Sequence, residues 1–175
     1  TLIKGSFQKK LKKLLRMRRD FTETERKFLV KSSSYKENAF QSSRIVQGLL
    51  STDPELTVRI RINGEKGYIT IKGGADESGM TRFEWEKEIT VKEAEEILKL
   101  CLPGKIEKIR HLVKMGRHIF EVDEFLQENQ GLVIAEIELQ AEDEEFESPV
   151  WLGEEVTGEI KYYNSQLSQN PYKSW

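Results

Sequence analysis

Charged side chains recur at every second position through much of this chain, and they come sorted by sign. Glu23, Glu25 and Lys27 share one face of an extended segment. So do Arg59 and Arg61, then Arg82, Glu84 and Glu86, then Lys108 and Arg110, then Glu121 and Asp123, and finally Glu136 and Glu138. Side chains two apart on a strand point the same way, so each set would present its charges together. Lys72 stands opposite Ile69 and Ile71 in the same manner. Gathered in one low-dielectric space, the lysines and arginines would repel one another by about several kcal/mol per close pair, and an anion must offset them. Paired glutamates with no His or Cys beside them are hard oxygen donors of the kind that Mg²⁺ or Mn²⁺ prefers. Basic side chains joined to a carboxylate-held cation are what a polyphosphate requires.

The elements that must position these groups are strands. Val58–Ile62, Tyr68–Lys72 and Arg82–Glu86 alternate charged or polar residues with Val, Ile, Phe and Trp, and Asn63-Gly64 with Gly67 supplies hairpin chemistry between the first two. A sheet with one solvated face gives the same alternation. Solvated faces, however, mix Thr, Ser, Gln and Lys, whereas these carry short pairs of one sign. The opposite faces carry Phe83, Trp85, Ile69 and Ile71, which need cover from outside. Closing such a sheet removes its edges and encloses a polar lumen. The expected fold is therefore α+β: a closed antiparallel β-barrel with its charged faces inward and flanking helices outside. Helices are expected over Val91–Cys101, with Thr90 as N-cap and Leu102-Pro103-Gly104 as stop, over a short turn at Asp143–Phe146, and over Ile160–Ser168. Residues 32–43 read as loop or short helix.

Composition narrows the function classes. The chain has 175 residues, 33% charged and 37% hydrophobic, enough for one domain with its own core. Cys101 is the only cysteine, which leaves no disulfide framework and no cysteine zinc cluster and suits a reducing cytoplasm. No apolar run reaches the roughly 18 residues of a membrane-spanning helix, so no membrane role is expected. The net charge of −2 divides unevenly: residues 1–20 carry +7 and residues 21–175 carry −9. A domain that acidic repels nucleic acid over most of its surface, and any anion it binds must meet a local basic cluster. Residues 1–20, with Phe7, Leu11, Leu14 and Leu15 near helical spacing among lysines, read as a basic extension ahead of a domain spanning 21–175.

The segment Glu23-Thr24-Glu25-Arg26-Lys27, followed by Phe28-Leu29-Val30, resembles the ExExK signature of CYTH-domain proteins, the triphosphate tunnel metalloenzymes. The resemblance continues in order through Arg59-x-Arg61, Lys72 before Gly73-Gly74, Arg82-x-Glu84-x-Glu86, Lys108-x-Arg110, Glu121-x-Asp123, Glu136-x-Glu138, the Trp151–Thr157 segment, Lys161 and Asn164. It implies an eight-stranded tunnel. It implies that Glu23, Glu25, Glu136 and Glu138 hold Mg²⁺ or Mn²⁺ or the attacking water, with Glu84 and Glu86 as secondary contacts. Lys27, Arg59, Arg61, Lys72, Arg82, Lys108, Arg110 and Lys161 would then hold phosphates, with Glu23, Glu25 and Lys27 as the catalytic set and Glu121 and Asp123 orienting the basic residues. One departure stands out: bacterial relatives carry a tyrosine in a QGY segment, and here Gln47-Gly48 is followed by Leu49.

The activity these residues imply is hydrolysis of inorganic triphosphate to pyrophosphate and phosphate by a cytoplasmic monomer or homodimer. Other CYTH chemistries are alternatives: thiamine triphosphatase, nucleoside or RNA 5′-triphosphatase and class IV adenylyl cyclase. A non-catalytic polyphosphate-binding module is the alternative from another class. Among the remaining residues, His111 and His118 are expected in strand packing and Cys101 in core. Gly73-Gly74 reads as a flexible hairpin loop, Trp151 as an anchor, and the acidic run 142–147 as a solvated helix face.

Overall fold

A computed structural model describes residues 21–53 and 55–175. The basic extension at 1–20 and its amphipathic pattern lie outside the described residues. Among the described residues nine strands form one antiparallel sheet: β1 (Thr22–Val30), β2 (Ala39–Asp53), β3 (Leu56–Asn63), β4 (Lys66–Ala75), β5 (Thr81–Ile89), β6 (Ile106–Met115), β7 (His118–Phe125), β8 (Val133–Glu138) and β9 (Leu152–Glu155). Their order is β5-β4-β3-β2-β6-β7-β8-β1-β9, and β1 also pairs with β5, which closes strands 1 to 8 into a barrel and leaves β9 outside it against β1. The closing seam is short, with register pairs Thr22–Phe83, Glu23–Arg82 and Thr24–Thr81. The expected closed eight-stranded antiparallel barrel is therefore the architecture observed, with one extra strand.

The apolar outer faces are covered in two places. Helix α1 (Val91–Leu98) lays Ala94 and Leu98 over Ile60, with Val46, Ile62 and Ile69 around them. It starts with the capping box that its sequence offers: Thr90 Oγ1 accepts from the Glu93 N–H, and the Glu93 carboxylate accepts from the Thr90 N–H. It ends at Leu98 rather than Cys101, and the chain then turns so that the Leu102 N–H reaches the Leu49 carbonyl at 2.8 Å. On the other side Trp151, 1% exposed, packs edge-on against Tyr35 and Phe120 over Phe28, Val113 and Ile137. It is the anchor expected of it. Tyr35 comes from a 3-10 turn at Ser33–Asn38, but the rest of the 32–43 stretch, from Ala39 on, is the start of β2 rather than loop or helix.

Four local expectations are corrected. Asp143–Phe146 is not helical, and the acidic run is not a solvated helix face. Glu142 instead accepts from Ser78 and Thr81, and Glu144 accepts from the Gln140 N–H, so their carboxylates tie the segment to its neighbours. Ile160–Ser168 is interrupted at Tyr163, whose ψ of 139° is extended, leaving a 3-10 turn at Ile160–Tyr162 and a short α2 at Asn164–Leu167. Gly73 and Gly74 lie inside β4 at a register shift rather than in a loop. A Cβ at Gly74 would stand 2.4 Å from Glu55 Oε2, so the glycine makes room for that carboxylate.

Candidate active site

Barrel closure turns the alternating charges inward, and the register sets most of them opposite a partner. Cross-strand neighbours include Glu23–Arg82, Lys27–Glu136, Lys72–Glu84 and Arg110–Asp123. Residues directly opposite lie close enough for their side chains to meet, and these do. Lys72 Nζ bridges Glu23 Oε1 at 2.7 Å and Glu84 Oε2 at 2.5 Å. Arg82 donates from Nε to Glu23 Oε1 at 2.5 Å and from Nη2 to Glu25 Oε1 at 3.0 Å. Lys27 lies 2.8 Å from Glu25 and also bonds Glu136. Glu86 holds Arg61 at 3.0 Å and Arg59 at 3.4 Å, and accepts from the fully buried Thr70 hydroxyl at 2.7 Å.

The enclosed space has two chambers that share Lys27, Arg59, Lys72, Arg82 and Asn164 as a common waist. The larger, about 750 Å³, is lined in addition by Glu23, Glu25, Arg61, Glu84, Glu86, Arg110, Glu121, Glu136 and Glu138. The smaller, about 360 Å³, is bounded by the β4–β5 connection and residues 158–166, with Leu49 in its wall. Two proposed phosphate ligands are not brought to either lining. Lys108 is 1% exposed and bonds Asp123 Oδ2 at 2.5 Å behind Arg110. Lys161 sits on an exposed turn with its ammonium over the rings of Tyr162 and Trp175, at 4.8 and 5.2 Å. Lys161 lies outside because the 3-10 turn presents Ile160 and Tyr163 to the smaller chamber in its place.

The electrostatics single out one carboxylate. Burial opposes the charge on Lys27, but Glu136 and Glu25 outweigh it and hold its pKa above the ordinary lysine value. Burial likewise works against Glu136, and Lys27 with Arg110 overcomes it, holding Glu136 well below the usual carboxylate range. Glu138 goes the other way: burial, reinforced by Glu23, Glu121, Glu84 and Glu25, raises its pKa. The register explains this, since Glu138 stands opposite Glu25, whose carboxylate is already engaged by Lys27 and Arg82. Of the eight carboxylates lining the larger chamber, Glu138 alone has no ion pair among the described residues. On the basic side, the Nε atoms of Arg59 and Arg61 are buried without a hydrogen-bond partner among the described residues. Buried groups left in this way cost stability unless a ligand or water satisfies them.

The donor set fits a hard divalent cation. It is carboxylate oxygen, eight groups against the seven lysines and arginines of the chamber, so a polyanion bound there gains from added positive charge. Among the described residues no three acidic, His or Cys groups are already gathered round one point. Mg²⁺-type ions need none, since they take one or two carboxylates and complete their shell from phosphate oxygens and water.

Sequence reasoning missed the chamber's outer rim. Arg117, His118 and Glu144 line it, but Arg117 lies in a turn and Glu144 in an irregular segment, where no period-two pattern marks a face. His118 begins β7 and lines the rim while bonding Glu144 at 3.0 Å. His111 is outside the barrel, bonded to Ser42 at 2.8 Å and packed on Tyr35. Cys101 is half-buried beside Gly48 and the helix.

Comparison with known proteins agrees with this geometry. The CYTH domain profile matches residues 22–169. The chain is 47% identical over 154 residues to an inorganic triphosphatase of Acetivibrio thermocellus, covering 87% of this chain and 97% of that protein. It is 32% identical over 151 residues to an inorganic triphosphatase of Nitrosomonas europaea, covering 84% and 97%. A crystal structure of an inorganic triphosphatase superposes with a TM-score of 0.57 at 31% identity, covering 83% of this chain and 93% of that one. A charge-lined closed barrel carrying the ordered motif set, matched over nearly its whole described length, places this chain in the CYTH domain family.

Proposed function

We propose that this protein hydrolyses inorganic triphosphate to pyrophosphate and phosphate within its barrel, with a divalent cation, Mg²⁺ or Mn²⁺, as cofactor. One observation carries the reading: Arg59 and Arg61, each with a buried Nε that has no hydrogen-bond partner among the described residues, line the same chamber as Glu138, which has no ion pair among them. The first calls for anionic oxygens and the second for a cation or an ionisable water, and a metal-bound triphosphate attacked by water supplies both. The likeness to inorganic triphosphatases over most of the chain supports the choice of substrate.

Arg59, Arg61, Lys27, Lys72 and Arg82 bind and align the phosphate chain, and their charges stabilise the negative charge that spreads over the equatorial oxygens as the terminal P–O bond breaks. Glu86 fixes the two β3 guanidiniums, and Asp123 and Glu121 fix Arg110. Glu138, whose affinity for a proton is raised, orients the attacking water and accepts its proton at the carboxylate. Glu23, Glu25, Glu136 and Glu138, with Glu84 near them, would hold the cation, which supplies charge neutralisation and Lewis acidity to the phosphate chain. Glu86 is committed to arginines and stands as a secondary contact.

Phosphate release measured with Mg²⁺ and with Mn²⁺ over triphosphate, ATP and thiamine triphosphate tests the reading. Triphosphate is expected to turn over fastest. Cyclic AMP formed from ATP without phosphate release would overturn it.

A further inference from the structure

The rim of the larger chamber holds a cation that the chemistry above does not use. Beyond the waist, the chamber wall is mostly acidic, with Glu121, Glu136, Glu138 and Glu144. Arg110 is already saturated by Asp123, Glu121 and Glu136. Arg117 differs. Its side chain is 72% exposed, and Glu144, at 2.9 Å, is its one ion-pair partner among the described residues. Glu144 is the fixed member of the pair: 12% exposed, it also accepts from the Gln140 N–H and lies 3.0 Å from His118 Nε2. Backbone N–H and His118 bonds, with Arg117 adding to them, keep Glu144 ionised below the ordinary range. The turn carrying Arg117 is pinned as well, since Gly116 has φ +57° and a Cβ there would stand 2.7 Å from Glu147 Oε1. Backbone and acceptor are thus held by other contacts, while the guanidinium is open to solvent.

We propose that Arg117 captures the anionic substrate at the tunnel mouth, and that Glu144 keeps it oriented until a phosphate oxygen takes the carboxylate's place. The proposal rests on the reading that the tunnel receives a triphosphate. Solvent-exposed pairs of this kind are weak, so a multiply charged phosphate chain outcompetes a single carboxylate for the guanidinium. A positive residue at the rim also offsets the acidic wall through which the anion must pass. Glu144 keeps its other two partners when Arg117 leaves it, so removing Arg117 spares the fold.

The test compares Arg117→Ala, Arg117→Lys and Glu144→Gln with wild type in steady-state triphosphate hydrolysis at two salt concentrations. For Arg117→Ala, KM should rise about tenfold while kcat stays within about twofold, and kcat/KM should lose part of its salt dependence. Arg117→Lys should recover most of the affinity, and Glu144→Gln should lower KM. An unchanged KM in Arg117→Ala overturns the proposal, as does a fall in kcat at constant KM. Calorimetric titration with tripolyphosphate, which requires no turnover, separates the two readings. A wild type that binds without hydrolysing refutes the hydrolase alone, whereas equal affinity in wild type and Arg117→Ala refutes capture alone.

Discussion

Arg110 grips Asp123 in a two-point chelate, Nε to Oδ1 at 2.7 Å and Nη2 to Oδ2 at 2.6 Å, where the aspartate is 1% exposed. Lys108 approaches the same carboxylate from behind. Burial alone would raise the pKa of Asp123, and the two cations outweigh it and lower it. Asp123→Ala strands two buried cations at once and should cost about 3–5 kcal/mol in denaturant unfolding. Because the native pKa is depressed, this stabilisation is present above the unfolded value near about 4 and is lost as pH falls through the native one. A loss smaller than about 1 kcal/mol at pH 7 would show that the pair is not structurally required.

Glu138 makes the opposite prediction. Its raised pKa means that its charge opposes folding, increasingly so as pH rises through the native value. Glu138→Gln should therefore raise the melting temperature of the metal-free protein at pH 7. The same change should weaken stabilisation by added Mg²⁺ or Mn²⁺ and cut phosphate release by about a hundredfold or more. A melting temperature that falls in the variant contradicts the electrostatic account.

Glu25 links Lys27 to Arg82. With the amide of Glu25→Gln, both cations lose an anionic partner and the chamber loses a hard donor, while the shape is kept. Activity should fall by about two orders of magnitude with the circular-dichroism spectrum unchanged. Full activity in this variant would remove Glu25 from the metal and substrate cluster.

Lys108 sets a pH signature of its own. Burial pulls its pKa down to about 8 against the attraction of Asp123. An unfolded lysine titrates near about 10.4, so between the two values the unfolded chain holds more protons and stability rises with pH. Unfolding free energies compared between pH 7.5 and 9.5 should show wild type gaining on the order of 1 kcal/mol relative to Lys108→Met. A constant difference across that range would mean that the ammonium is not desolvated as described.

The fold was largely legible because a closed sheet imposes period two on its strands, and the sign-sorted pairs at 23/25, 59/61, 84/86 and 136/138 obey it, whereas β2 and β9, which carry no such pairs, did not stand out. α1 was equally plain, because Thr90 and Glu93 state its start chemically. The irregular ends were not legible. Whether Glu144 lies on a helix face or reaches Gln140 and His118 depends on which distant donors arrive beside it, and local spacing does not encode that. Lys108 and Lys161 fail for the same reason: alternation says which face a side chain takes, but not how deep it sits or whether aromatic rings hold it elsewhere. The lone status of Glu138 follows from its register against Glu25, and only the assembled barrel reveals that.

The seam between β1 and β5 is three rungs wide, and its middle rung is Glu23 opposite Arg82. Two flanking backbone bonds, Glu25 N–H to Met80 and Glu84 N–H to Phe21, complete it. The hoop is thus fastened by a clasp made of the same side chains that would grip the ligand. Amide protons along Thr22–Glu25 and Thr81–Glu84 should exchange faster than those of the long β2–β3 ladder, and slow sharply once ligand spans the gap. Loading the tunnel and locking the hoop shut become a single event.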